Sequence, residues 1–415
     1  MSRPTDTRTP GRNRAAHPAG TTPRRSKHDP GASRGRHPSA GTGTKRPPGD
    51  RSSTFVGLLA VVTALVLLGL VMVMSAASVS DLRTSGSAWD SFSRQAIFAL
   101  VGFAGMFAVM RQHYGLWRRV ATPFLVLSFV LLALVLVPGV GVGANGATRW
   151  LGAGSLRIQP SELAKLAIII WSARWLAMDR NHDVIREDPR VLRPVLLALG
   201  GLAVLLLLQP NLGTLIITAG AIGAVIFVSG ASLARLTAWG ALGFSAAAVA
   251  ALSADYRRAR VLAFLDPWAD PANTGYQTIQ SLVGIAGGGL TGVGLGASRA
   301  KWGFLPYAHT DFIFAIIAEE LGLIGAVTVL GLLAALGYFG IRAALRAPDT
   351  FGMLLAAGIT TWFVLQAVVN IGAVVGLLPI TGVPLPFVSY GGTSLVVNLL
   401  AMGVLLSVAR HGRDA

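Results

Sequence analysis

The stretch "PYAHTDFIFAIIAEELG", residues 306–322, sets three carboxylates, Asp311, Glu319 and Glu320, in an otherwise apolar run. A charge near the centre of a bilayer costs about 3 kcal/mol even on the lenient insertion scale, so an acid in such a run is a functional candidate by default. Thr310 and Asp311 stand where a helix is expected to begin, and both are N-cap residue types. Capping and chemistry compete for Asp311. The free amides and dipole of a helix start favour the ionised carboxylate, and a general base has to be ionised too. Glu319 and Glu320 lie about 12 to 13 Å further along the helix at about 1.5 Å per residue. They point to different sides, so at most one shares a face with Asp311, and a structural role against another helix is the expectation for both.

A second charged set lies in "QPSELAKLAIII", residues 159–170. Pro160 suits a first helical turn, and Glu162 and Lys165 share one helix face. They read either as a self-neutralising pair that lets the helix enter the membrane, or as a site in which Lys165 meets a phosphate or the pair orients Asp311. "GGGLTGVGLGASRAKWGFLP" (287–306) lacks the Gly-Lys-Ser/Thr ending of a nucleotide loop. It offers instead a flexible backbone, with Arg299 and Lys301, to an anion. "YRRAR" (256–260) is either a solvated basic cluster facing lipid headgroups or part of a diphosphate site. "LPITGVPLPFVSYGGTS" (378–394) reads as a rigid connection whose Ser389, Tyr390 and Thr393 can line a cavity. His309 has no metal-ligand spacing to His113, His182 or a carboxylate pair, so no metal site is expected.

The elements that must position these groups follow from composition. The chain is 53% hydrophobic and 13% charged, with a mean hydropathy of +0.61, which excludes a soluble protein of its 415 residues. It has no cysteine, hence no disulfide framework and no thiolate chemistry. The net charge of +17 is concentrated in residues 1–51, which hold 12 Lys/Arg against 3 Asp/Glu and eight of the 21 prolines. That composition cannot bury a core, so residues 1–54 are expected to be a disordered cytoplasmic tail that meets anionic membrane lipid or serves retention, with no nucleic-acid partner. No apolar stretch precedes Phe55, and no cleavable signal peptide is expected.

From Phe55 onward, long apolar runs recur at about 55–77, 95–110, 120–138, 161–177, 194–209, 212–229, 234–253, 311–340, 351–377 and 391–409. Lys and Arg in the short loops place both termini inside. The expected fold is an all-α polytopic membrane protein of about ten transmembrane helices over residues 55–410, followed by a short cytoplasmic tail, 411–415. Two outer segments stand out: residues 141–162, and a large extracellular loop between helices seven and eight, about 254–310, read as ordered and partly dipping into the membrane surface.

In this order, "NGATRW", "QPSELAKL", "QPNLGT", "GYQTIQSLVGI", "GVGLGASRAKWGFLPYAHTDFIFAIIAEELG" and "LLPITGVPLPFVSYGGTS" resemble the SEDS proteins, the FtsW and RodA group, over nearly all of residues 55–410. The resemblance implies a ten-span peptidoglycan glycosyltransferase that polymerises lipid II, an undecaprenyl-diphosphate-linked disaccharide-peptide, on the outer face of the bacterial cytoplasmic membrane. It also implies a class B penicillin-binding protein, a transpeptidase, as partner beside other division proteins. The acid of "HTDF" is the family's catalytic residue, which falls on Asp311, and its "SELAK" charges fall on Glu162 and Lys165 as supporting residues. Many relatives carry Glu before "AHTDF" where this chain has Tyr307, so no role is carried over to that position. The set taken for substrate binding is Arg149, Arg258, Ser298, Lys301, His309, Thr310 and Ser389. Residues 69–79 and 257–277 look more like FtsW and "GVPLPFVSYGG" more like RodA. A role at the division septum is adopted, with a RodA-like elongation role as the alternative.

Extension of a glycan on a lipid diphosphate needs an acceptor hydroxyl deprotonated, an anomeric carbon attacked and a diphosphate stabilised as it leaves. Asp311 is placed for the first task. Arg258, Lys301 and Lys165 are the cations for the last. A single inverting displacement needs no covalent intermediate. No motif demands a cofactor, while a divalent cation stays compatible with the diphosphate. A lipid II flippase is the competing reading, but the polar groups gather at the outer face instead of the midplane and no inverted repeat is visible. A non-catalytic scaffold would not need the outer acid. Because the basic tail is expected across the membrane from this chemistry, deleting residues 2–48 should leave lipid II polymerisation by correctly inserted protein within a few-fold of wild type. A loss above about 100-fold, measured on purified protein, would contradict the assignment.

Overall fold

The structure is a computed structural model that describes residues 53–144, 147–153, 156–178, 189–252 and 255–412. Residues 1–52 of the expected tail and residues 413–415 lie outside the described residues. The first helices are α1 (Ser53–Ser85), α2 (Asp90–Arg111) and α3 (Gly115–Val135). A three-stranded antiparallel sheet follows, β1 (Gly141–Ala144), β2 (Ala147–Ala153) and β3 (Leu156–Ile158), in the order β1-β2-β3. The middle of the chain forms α4 (Pro160–Met178), α5 (Arg193–Leu208), α6 (Leu212–Val228), α7 (Leu233–Leu252), α8 (Asp255–Leu265) and α9 (Tyr276–Gly288). The last helices are α10 (Ile313–Leu345), α11 (Thr350–Val374) and α12 (Gly392–His411).

Ten of these helices coincide with the ten expected apolar runs, within a few residues at most ends. Among the described residues, seven helices are long and apolar enough to cross a membrane, by length and composition. At 17 residues, α6 is a shorter apolar helix. Three charged residues, Glu162, Lys165 and Arg174, interrupt the apolar composition of α4. The connector "QPNLG" does separate two helices. Pro194 sits in the first turn of α5, and the Asn211 side chain caps α6 by accepting from the Thr214 amide at 3.4 Å.

Two expectations are corrected. Within the outer segment read as a loop in an all-α protein, residues 141–144, 147–153 and 156–158 form the small sheet, with Val142 opposite Trp150 and Leu151 opposite Ile158. Its strands are three to seven residues long and rich in glycine, too short for a period-2 pattern to stand out in sequence. The long loop expected at about 254–310 contains, over its described residues 255–310, two helices, α8 and α9.

The core is organised around α11, which packs on α10, α6, α4 and α12. At 33 residues, α10 is as long as α1, but it is broken. Gly322 adopts φ 66°, ψ −162°, a conformation open to glycine at low cost. The carbonyls and amides released at the break are not left bare. Val293 and Gly294 donate to the carbonyls of Glu319 and Glu320, both at 3.0 Å, and Leu323 and Ile324 donate to Gly289 and Leu290 at 2.9 and 3.3 Å. The segment 289–294 thus runs along the break like an extra strand. Irregular backbone within an apolar bundle persists only when it is satisfied in this way.

A Cβ on Gly322 would lie 2.3 Å from the Gly292 amide nitrogen, and its φ is one that other residues rarely adopt. Gly331, on the same helix, has nothing within 4 Å of such an added Cβ. Gly322→Ala is therefore expected to destabilise the protein by at least about 1 to 3 kcal/mol, and Gly331→Ala to be neutral or slightly stabilising. Thermal unfolding of the two purified variants in detergent checks the contrast, and equal melting curves would refute it.

Candidate active site

Asp311 lies in the turn before α10 and is half-buried. It does not cap the helix. The N-cap position is Phe312, with no side-chain cap bond, and Thr310 turns its hydroxyl back to the Tyr307 carbonyl at 3.1 Å. The turn is closed by Tyr307, whose carbonyl also accepts from the Thr310 and Phe312 amides at 3.1 and 3.3 Å. That closure delays the helix start to Ile313, so the capping reading of Thr310 and Asp311 is overturned. Asp311 instead lines a small cavity with Phe312, Asn370, Thr381, Gly382 and Val383.

Two amides, four residues apart on α11, fix this cavity. Asn370 Nδ2 donates to the Asp311 carbonyl at 2.8 Å and to the Val383 carbonyl at 2.8 Å. Gln366 Nε2 donates to the Pro384 carbonyl at 2.8 Å. The loop that they grip is held to the same helix a third way by Phe387, which meets Phe363 edge-on at 4.9 Å, a contact worth about 0.5–1.5 kcal/mol beyond its buried area. Sequence reading passed over Gln366 and Asn370. The signal was present: two polar residues at i, i+4 in "TWFVLQAVVNIG" share one face of an otherwise apolar helix.

Glu162 and Lys165 form the expected pair, with Nζ and Oε1 3.0 Å apart and both side chains almost fully buried. The pair is part of a larger network. Lys165 also donates to Gln366 Oε1 at 2.9 Å and sits over the Trp362 ring, 4.7 Å from its centroid. Trp362 donates to the same Gln366 oxygen at 2.8 Å, and Ser394 donates to Glu162 at 3.2 Å. Lys165 is sealed among these partners and has no open face for a phosphate. Its link to Asp311 is indirect, through Gln366 and Asn370 on α11 and the loop that both hold.

Glu319 and Glu320 have the structural role expected of them. Glu319 accepts from the Ser298 hydroxyl at 2.5 Å and from the Arg299 and Ala300 amides at 2.9 and 3.4 Å. Glu320 accepts from the Ser75 hydroxyl at 2.7 Å and the Ser298 amide at 3.3 Å, and pairs with Lys301 at 3.5 Å. Ser298 and Lys301, named above for substrate binding, are buried in this cluster. Lys301 also bonds the Gly296 carbonyl. The basic end of the glycine segment is thus tied to α10 and does not project toward an anion.

The other residues named for binding are spread around the same end of the bundle. Arg149, half-buried on β2, donates to the carbonyls of Gln209 and Pro210, so it braces the α5–α6 connector. Arg258 is exposed on α8. His309 is half-buried, its ring 5.5 Å from that of Tyr390, and its carbonyl accepts from the Tyr390 amide at 2.9 Å. Burial holds its imidazole below the usual range, against the pull of Asp81. Ser389 is buried and accepts from the Leu385 amide at 2.8 Å, which shapes the loop internally. Among the described residues, no group of three or more His, Cys, Asp or Glu side chains is arranged to hold a metal ion.

The family model described as "Cell cycle protein", covering FtsW, RodA and SpoVE, matches residues 56–414. The chain is 44% identical over 358 residues to stage V sporulation protein E of Bacillus subtilis, covering 86% of this chain and 97% of that protein. It is 41% identical over 352 residues to a probable peptidoglycan glycosyltransferase FtsW of Geobacter metallireducens, covering 85% and 93%. Among solved structures, it superposes with a TM-score of 0.69 and 33% identity on a chain of a peptidoglycan synthase complex that coordinates polymerization and crosslinking, covering 86% of this chain and 97% of that one.

The buried network should behave as a coupled unit. Removing one charge of a deeply buried pair leaves the other unpaired, at a cost of about 3 to 5 kcal/mol. Glu162→Gln and Lys165→Met are each expected to destabilise by that order, and the double variant by clearly less than the sum. Unfolding of the three variants in detergent measures the coupling, and strict additivity would show none.

Proposed function

The chain belongs to the FtsW, RodA and SpoVE family of cell cycle proteins and is a peptidoglycan glycosyltransferase; on that premise we propose that Asp311 is the general base that activates the acceptor hydroxyl of lipid II. The observation that carries this reading is the position of Asp311. It is the carboxylate that lines the cavity, it is not engaged in capping, and its backbone is fixed by Asn370. A base held in place before the substrate arrives avoids much of the orientational cost of the reaction. The acceptor hydroxyl transfers its proton to Asp311 while its oxygen attacks the anomeric carbon, and the lipid diphosphate departs from the opposite face. The product is inverted without a covalent enzyme intermediate.

The end of the bundle that carries Asp311 faces the outside in this reading, with ten spans and both termini in the cytoplasm, as the distribution of Lys and Arg supports. Lys165 and Lys301 are engaged with Glu162 and Glu320, which leaves exposed Arg258 as the cation of the original set best suited to the leaving diphosphate. A divalent cation is compatible with this chemistry and would arrive on the diphosphate, as Mg²⁺ commonly does. The sporulation and FtsW names of the relatives favour a role at the division septum over elongation. By analogy with the matched synthase complex, the partner is a crosslinking enzyme of the class B penicillin-binding type.

Asp311→Asn keeps the shape and removes the base. Lipid II polymerisation by the purified variant is expected to fall by at least about 100-fold with lipid II binding preserved. Near-normal polymerisation would remove Asp311 from the mechanism, and a joint loss of binding and turnover would make it a substrate-holding residue instead.

A further inference from the structure

At the end of the bundle away from Asp311, α3 begins and α4 ends, and a second cavity lies between them. Its walls are Gly115, Arg118 and Arg119 on α3 and Arg174 and Met178 on α4, around a space of about 370 Å³. Small-ligand sites occupy roughly 300–1,000 Å³, so this space takes more than a single ion. Among the described residues, no carboxylate pairs with any of the three arginines. Like charges gathered in this way repel one another unless they share an anion. Arg174 is half-buried, and its Nη1 donates across the cleft to the Thr122 hydroxyl at 3.0 Å. That bond uses one of its five N–H donors and holds its fork beside the first turns of α3. Arg118 and Arg119 are exposed. A planar guanidinium offers a phosphate two parallel bonds.

The surroundings of the cavity belong to a membrane interface. Trp117 is next to Arg118, and Trp175, next to Arg174, stacks on Trp171 at 5.8 Å and donates to the Val191 carbonyl at 3.0 Å. Tryptophan gathers at the level of lipid headgroups. Beyond the arginines, α3 is apolar and long enough to span, and Val126 and Val130, on the same face as Arg119, are 56% and 49% exposed. A soluble phosphate would use the arginines alone, whereas a phospholipid uses the arginines and the apolar face together. We propose that this cleft is a headgroup site for an anionic phospholipid of the cytoplasmic leaflet. Phosphate oxygens accept from Arg118, Arg119 and Arg174, and an acyl chain lies along Val126 and Val130. Basic pockets between helices on the cytoplasmic side suit such headgroups. Two phosphates joined by glycerol match three guanidinium groups better than one phosphate does, and a headgroup ammonium would add a fourth cation. The leaflet follows from the orientation argued above, while the site is independent of Asp311 and of sugar transfer.

The test uses the full-length protein purified in detergent, with diphosphatidylglycerol or phosphatidylethanolamine added and the retained lipid counted by native mass spectrometry. Wild type is expected to hold one diphosphatidylglycerol at least about tenfold more tightly than phosphatidylethanolamine. The triple variant Arg118→Gln/Arg119→Gln/Arg174→Gln is expected to lose at least about tenfold of that affinity. A control, Arg342→Gln/Arg346→Gln/Arg410→Gln, removes the same charge at the ends of α10 and α12 and should lose less than about twofold. Equal losses in the two triple variants overturn the proposal, since they would show diffuse attraction to a basic face. Displacement of the lipid by an equal concentration of inorganic diphosphate overturns it in favour of a soluble anion. Where the triple variant does not fold, Arg118→Gln/Arg119→Gln, which changes exposed residues alone, takes its place. A wild-type protein without preference for the anionic lipid overturns the proposal with no variant needed.

Discussion

Inside an apolar bundle a charged or amide group finds no water, and each must be met by another protein group or be left at a cost of several kcal/mol. Lys165 shows what that constraint does to this fold. Its ammonium is almost fully buried, so it takes Glu162 on its own helix, Gln366 on α11 and the Trp362 face together. Gln366 has its oxygen occupied by Lys165 and Trp362, which turns its amide nitrogen to the Pro384 carbonyl. Asn370, one turn on, repeats the arrangement with Val383 and Asp311. Satisfying one buried cation thereby fixes the loop 383–385 and, next to it, Asp311. Replacing such a pair by apolar residues is often harmless to stability. Its use here is better understood as orientation.

The same constraint explains the break in α10. A helix interrupted at Gly322 exposes backbone groups that the bundle cannot hydrate, and the segment 289–294 supplies the missing partners. That pairing also delivers the buried acids. Glu319 and Glu320, at the end of the N-terminal part of α10, collect the Ser298–Lys301 turn through hydroxyl, amide and ammonium donors. The N-terminal part of α10, with Asp311 just before its first turn, and the long 289–301 connection are therefore one body, joined by backbone and side-chain bonds at the same place.

The chemistry asked of this end of the molecule fits that construction. Sugar transfer from a lipid diphosphate requires a base held near a hydroxyl and little freedom for water to take the hydroxyl's place. Asp311, half-buried and gripped through its backbone carbonyl by Asn370, lines a cavity of single-group size, and the proposed role as base draws on that placement. Deep burial of Lys165 and Lys301 keeps them from acting on the diphosphate directly. Each instead ties together the elements around it, Lys165 joining α4 to α11 and Lys301 joining the end of the glycine segment to α10.

Long apolar runs announced the membrane class and the position of ten helices, because bilayer thickness sets the length of a spanning helix and hydropathy reads it directly. The acids were legible for the same reason, since a carboxylate in such a run has to be accounted for. The pairing of Glu162 with Lys165 was legible too, as neighbours on one helix face. What sequence could not give was the partnership of distant residues. Asn370 and Asp311 are separated by 59 positions, Lys165 and Gln366 by 201, and Ser75 and Glu320 by 245. Local rules of spacing reach four residues, so they left capping open for Asp311 and made Lys301 a free cation. Only the tertiary structure decided otherwise, because a cap depends on where the helix starts and a buried cation belongs to whichever carboxylate the packing brings beside it.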